Sequence, residues 1–193
     1  MPRQLLLLFA AAVTITTVTC QLGDYCEGCL KVKCVVEPNR KPPTHKTLPI
    51  SGHVTLTQRA MGQATFINVR LRGVPPLTVH GFHIHKSGDI ITKGCQSAKG
   101  HFNPYGKTHA GPRKRDRHVG DLGNVWSDYH GNVRTSFFDH MVSLYGPDSV
   151  IGRSIVLHAE RDDLGRGIGE YRTGSLATGN AGARLACCVI VHV

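Results

Sequence analysis

Short runs of alternating or β-branched residues, each closed by glycine, proline, asparagine or aspartate, recur along this sequence and leave room for little besides a sheet. "KVKCVV" (31–36), "GHVTLTQ" (52–58), "TFINVRLRG" (65–73), "TVHGFHIH" (78–85), "NVRTSFF" (132–138) and "SIVLH" (154–158) read as strands, and "RLACCVIVHV" (184–193) as a last one. No stretch sustains a helical period with a cap at each end. Many short strands joined by turn signals predict an antiparallel sandwich or barrel.

Two segments break this rhythm. Lys86 to Gly123 and Ala159 to Gly182 are rich in Gly, Asp, His and Arg and poor in apolar runs. Loops of such length inside a compact domain usually carry function, and the first holds most of the histidines.

The histidines are placed to converge. In "GFHIHKSGD" His83 and His85 are two apart on a strand, so both side chains leave the same face. The following loop adds His101, His109, His118 and Asp121, and "SIVLH" ends in His158. Three histidines with a carboxylate make a four-coordinate zinc set. His83, His85 and His158 with one shared histidine make the all-imidazole set that suits copper. Neither Cys nor Met belongs to it, which argues against a blue-copper electron carrier.

Residues 1–20, "MPRQLLLLFAAAVTITTVTC", have a basic residue, a short apolar run and then small residues, the layout of a secretory signal peptide. The run is too short to cross a membrane, and no later segment could. Residues 21–30 form a Cys-containing extension, and 31–193 are long enough for one domain with its own core. The formal net charge of +10 favours anionic partners. Nucleic acid is not expected, since no reading motif is present. Seven cysteines stand at 20, 26, 29, 34, 95, 187 and 188. Export favours disulfides, but the spacing leaves their pairing open.

"GFHIHKSGD", "GHFNP", "HAGP", "RHVGDLGN", "IVLHAERDDLG" and "TGNAGARLAC" together closely resemble the copper/zinc superoxide dismutases, of secreted type, in order and nearly in spacing. The resemblance implies an all-β fold, an eight-stranded antiparallel Greek-key barrel with two long functional loops around the metals. It also implies dismutation of superoxide to O2 and H2O2. One copper per subunit would sit on His83, His85, His101 and His158, and one zinc on His101, His109, His118 and Asp121, with His101 bridging. Asp162 would link His83 to His109, Cys95 would pair with Cys187, and Arg184 with Thr178 would line the substrate channel. His101 would also carry a proton in turnover, and His80 would be structural. Cys34 resembles a buried free cysteine of the first strand.

The partners so implied are superoxide and a second copy of the chain in a homodimer, with copper supplied by a chaperone or during secretion. Weak binding of anionic polysaccharide through "PRKRDRH" (112–118) is a further expectation. Departures from the family pattern lie at the channel: Lys86 and Ser87 follow the histidine pair, and the second loop is longer and reads Glu170, Tyr171, Arg172. These make the entrance more positive. A rival reading is a secreted copper-binding or copper-delivery protein on the same barrel, loaded through the "CEGC" of Cys26 and Cys29.

Overall fold

The computed structural model describes residues 26, 28–42 and 47–193. The expected signal peptide and most of the extension at 21–30 lie outside them. Among the described residues the strands are β1 (Leu30–Pro38), β2 (Ser51–Gln58), β3 (Thr65–Arg72), β4 (Val79–His85), β5 (Thr92–Cys95), β6 (Asp121–Trp126), β7 (Val133–Asp139), β8 (Ser154–His158), β9 (Arg184–Val189) and β10 (Val191–His192), with one α-helix, α1 (Arg172–Thr178). Eight strands run antiparallel in the order β6-β4-β8-β9-β1-β2-β3-β7, and β10 pairs with β1. The terminal strands β6 and β7 approach each other, so the sheet curls into a nearly closed barrel. Neighbours distant in sequence, β4 with β8 and β3 with β7, make the Greek-key crossovers.

Alternation explains which way each strand faces. Along β3, Ile67, Val69 and Leu71 are buried while the residues between them are not. They meet Val32, Val54, Leu56, Ile84, Ile155 and Leu157 in one core. Strands β4 and β8 depart from the pattern because both of their faces are covered. Phe82, Ile84, Ile155 and Leu157 point into the core. His83, His85, Val156 and His158 therefore take the other face, and there the two long loops lie over them.

Those loops hold elements that the sequence pattern does not announce. The first contains β5 and β6. The second contains α1, whose seven residues include a glycine and two threonines and which no side chain caps at its start. Tertiary contacts hold it: Ser175 is buried and donates to Asp163 Oδ1 (2.7 Å), and Leu176 O accepts from the His109 backbone N–H (2.8 Å).

Three disulfides are present among the described residues, Cys26–Cys29, Cys34–Cys188 and Cys95–Cys187. The second corrects the expectation of a free Cys34. Consecutive residues of a strand face opposite ways, so Cys188 turns into the core to meet Cys34, and Cys187 turns outward to Cys95. A bridge between residues 154 apart constrains the unfolded chain strongly. The double variant Cys34→Ala/Cys188→Ala is expected to lose about 2–5 kcal/mol of stability in urea unfolding and to keep its metal content. An unchanged unfolding midpoint would show that the bridge contributes nothing.

Candidate metal centre

Strand β4 supplies His83 and His85, β8 ends in His158, and the first loop brings His101, His109 and His118 with Asp121 at the start of β6. All seven are buried. Each ring is oriented by the nitrogen it turns away from the centre. His85 Nδ1 donates to Lys99 O (2.8 Å), His158 Nδ1 to Gly182 O (3.2 Å), and His83 Nε2 to Asp162 Oδ2 (2.8 Å). His85 Nε2, His158 Nε2 and His83 Nδ1 are thereby left to face one another, with the first two 3.2 Å apart. His101 completes the set, and its four donor atoms lie within 4.8 Å of one another.

A second set meets it at His101. Asp121 Oδ1 lies 2.8 Å from His101 Nδ1, 2.9 Å from His109 Nδ1 and 3.1 Å from His118 Nδ1, and the His101 and His118 nitrogens are 3.4 Å apart. Tetrahedral zinc with bonds near 2.0 Å needs donor separations of about 3.3 Å. The fit to metal is supported by what the protein leaves unsatisfied. Buried His83 Nδ1, His101 Nε2 and His109 Nδ1 have no hydrogen-bond partner, and His109 Nδ1 is close to Asp121 but out of line for a hydrogen bond. Buried nitrogens without partners are costly unless a cation takes their lone pairs.

Asp162 ties the two sets together. Its second oxygen accepts from His109 Nε2 (2.8 Å). Burial works to raise its pKa, but the hydrogen bonds from His109 and His83 outweigh that and hold the carboxyl well below the usual range. Asp121 is lowered likewise, against burial, by His101, His109 and His118. Burial also acts against protonated His109, yet its two carboxylates raise it to about 9. Burial, then the neighbouring His83, lowers His101 to about 3. Burial, then the charges around them, puts His85 and His158 well below an ordinary imidazole. The backbone of Gly179 passes so close that an added Cβ would collide with Asp162 Oδ1, and its φ of 70° also calls for glycine.

A cavity of about 250 Å³ opens onto the first set and is lined by His85, His101, His158, Thr178 and Arg184. Arg184 is fixed there: Nη1 donates to Cys95 O (2.7 Å) and Nη2 to Lys99 O (2.5 Å). His80 stays outside, between Thr78 Oγ1 (2.5 Å) and His158 O (2.8 Å), a structural role as expected.

A family profile described as copper/zinc superoxide dismutase (SODC) matches residues 50–190. The chain belongs to the copper/zinc superoxide dismutase family. It is 48% identical over 141 residues to a Cu-Zn superoxide dismutase of Onchocerca volvulus, covering 73% of this chain and 88% of the relative. It is 52% identical over 141 residues to one from Schizosaccharomyces pombe, covering 73% and 89%. An Onchocerca volvulus protein named extracellular superoxide dismutase is 48% identical over 141 residues, covering 73% and 69%. The family's reaction is oxidoreductive, the dismutation of superoxide, and its metals are copper and zinc. Among the described residues no helix is long and apolar enough to cross a membrane.

Arg117 departs from expectation as well. As part of "PRKRDRH" it is expected to share in weak polysaccharide binding, but it is 1% exposed. Its Nη1 donates to the carbonyls of His118 (3.0 Å), Val119 (3.2 Å) and Asp121 (3.1 Å), and Nη2 to Asp139 Oδ2 (2.6 Å). Only its place beside His118 hinted that it holds the loop. Removing one member of a buried pair typically costs about 3–5 kcal/mol. Arg117→Met is expected to fall by that much in thermal or urea unfolding and to release zinc faster to a chelator. Wild-type zinc retention would show that the loop does not depend on Arg117.

Proposed function

We propose that this protein is an exported superoxide dismutase. Copper would be held by His83 Nδ1 and by Nε2 of His85, His101 and His158, and zinc by Nδ1 of His101, His109 and His118 with Asp121. The observation that carries this is the pair of buried donor sets sharing one imidazole, with three of their ring nitrogens unpaired among the described residues, since His101 turns Nε2 to the first and Nδ1 to the second. Bound copper supplies one-electron chemistry, alternating between Cu(II) and Cu(I), while zinc is redox-inert and orders the loop.

The chain's residues do the rest. Two superoxide anions and two protons give O2 and H2O2, so one anion is oxidised and the other reduced. Arg184, its guanidinium fixed on the Cys95 and Lys99 carbonyls, attracts and orients the small anion beside His85 and His158. Thr178 narrows the mouth and excludes larger anions. His101 Nε2, which has no hydrogen-bond partner among the described residues, would hold a proton for the product when it is not ligating copper. Asp162 is a positioning residue that fixes the rings of His83 and His109.

Residues 1–20 act as the export signal and 31–193 as the dismutase domain, with relatives named extracellular supporting that destination. The delivery reading loses support because Cys26 and Cys29 are paired with each other, which withholds both thiolates from metal. Polysaccharide binding through residues 112–118 is weakened too, since Arg117 is buried. The assembly is a homodimer, supported by the exposed apolar side chains of Val35, Val191 and Val193 on β1 and the C-terminal segment. A monomer in sedimentation at micromolar concentration would overturn that assignment.

The deciding experiment follows superoxide consumption by secreted protein loaded with copper and zinc, across a range of salt. Fast consumption that falls with ionic strength is expected, with His158→Ala near background. Asp162→Asn should bind its metals about 10–100-fold more weakly. Two bound metals with no turnover would sink the dismutase reading.

A further inference from the structure

Away from the metals, the outer face of the sheet gathers positive charge. Side chains alternate along β3, so Asn68, Arg70 and Arg72 point away from the core that Ile67, Val69 and Leu71 enter. Arg134 on β7 stands directly opposite Arg70, and on β2 His53 is opposite Arg70 and Ser51 opposite Arg72. Like charges in register across a sheet destabilise it. Among the described residues no carboxylate lies within ion-pair distance of Arg70, Arg72 or Arg134. Arg72 Nε donates to Ser51 Oγ (3.0 Å), which fixes one guanidinium of the three.

These residues border a groove of about 720 Å³ together with Asn68 and Asn132. Strand β2 comes close to β3 here only because residue 52 is glycine: its φ is 141°, and an added Cβ would collide with the Arg70 carbonyl oxygen. Asn68 Oδ1 has no hydrogen-bond partner.

We propose that this groove binds a sugar bearing one phosphate or sulfate ester, with Arg70 and Arg134 clamping the ester group. The guanidinium fork matches a tetrahedral oxyanion, and a bound anion offsets the repulsion between the two arginines, a phosphate monoester dianion more fully than a singly charged sulfate ester. The volume lies within the roughly 300–1,000 Å³ of small-molecule pockets, far more than a bare oxyanion fills. Amides, a hydroxyl and an imidazole suit sugar hydroxyls. No Phe, Tyr or Trp lines the groove, so a nucleobase would find no stacking platform. It shares no residue with either metal set, and occupancy leaves dismutation unaltered.

The test is calorimetric titration of the full chain, loaded with copper and zinc, at fixed ionic strength. The ligands are glucose 6-phosphate, glucose 6-sulfate, glucose and inorganic phosphate. R70Q/R134Q is compared with R113Q/R115Q, which alters the exposed basic loop instead. At least one ester is expected to bind and glucose not to. R70Q/R134Q should weaken that ester by about tenfold or more, with R113Q/R115Q like wild type and superoxide consumption equal in all three. The two ester arms tell a phosphorylated source from a sulfated one. Inorganic phosphate binding as tightly as the esters would mean an adventitious ion only and would overturn the sugar site. So would an R70Q/R134Q protein, folded by its unfolding midpoint, that binds the esters like wild type, or no ester binding at millimolar concentration.

Discussion

Six buried imidazoles and two buried carboxylates share one small volume, and three ring nitrogens there find no hydrogen-bond partner among the described residues. An unsatisfied buried polar atom costs about 1–3 kcal/mol, so the cluster is tolerable only if cations enter it. The surrounding architecture supplies what the cluster cannot supply for itself. Backbone carbonyls of Lys99 and Gly182 and the carboxylate of Asp162 take the outward nitrogens, which settles the tautomers and aims the inward ones. Stability and reactivity therefore rest on the same nitrogens.

Fixing the loop over the strands is the second requirement, and three independent ties share it. The Cys95–Cys187 bridge joins it to β9, Arg184 grips its carbonyls from the same strand, and Arg117 grips it from the other side, anchored on Asp139 of β7. Arg184 is partly stripped of water, and burial lowers its pKa. It remains a cation, which keeps positive charge at the cavity whatever the state of the imidazoles.

Much of this was legible in the sequence because it depends on period and spacing. The alternation in "TFINVRLRG" and "TVHGFHIH" gives β3 and β4 within a residue or two, and the two-residue spacing of His83 and His85 gives their common face. The family pattern led to the remaining residues of the two clusters, to Asp162 and to the Cys95–Cys187 pair. Illegible were features decided by contacts distant in the chain. Strand β6 begins with Asp, Leu and Gly and is a strand because β4 pairs with it. Helix α1 exists because Asp163 and His109 hold it. Cys34 looked free because its partner's direction depends on which face of β9 Cys188 occupies. Arg117 read as one more cation of "PRKRDRH" because Asp139, its buried partner, lies 22 residues away.

Adjacent cysteines near the end of the chain serve two different parts of the molecule: Cys187 holds the metal loop and Cys188 holds the first strand. During synthesis the N-terminal portion emerges first, and contacts distant in sequence form late. Neither bridge can close until Cys187 and Cys188 have been made, so a nascent chain that has reached only Cys95 lacks both native partners and its loop is untethered. Order of assembly is thus written into β9: one strand seals both the barrel and the loop that covers its histidines.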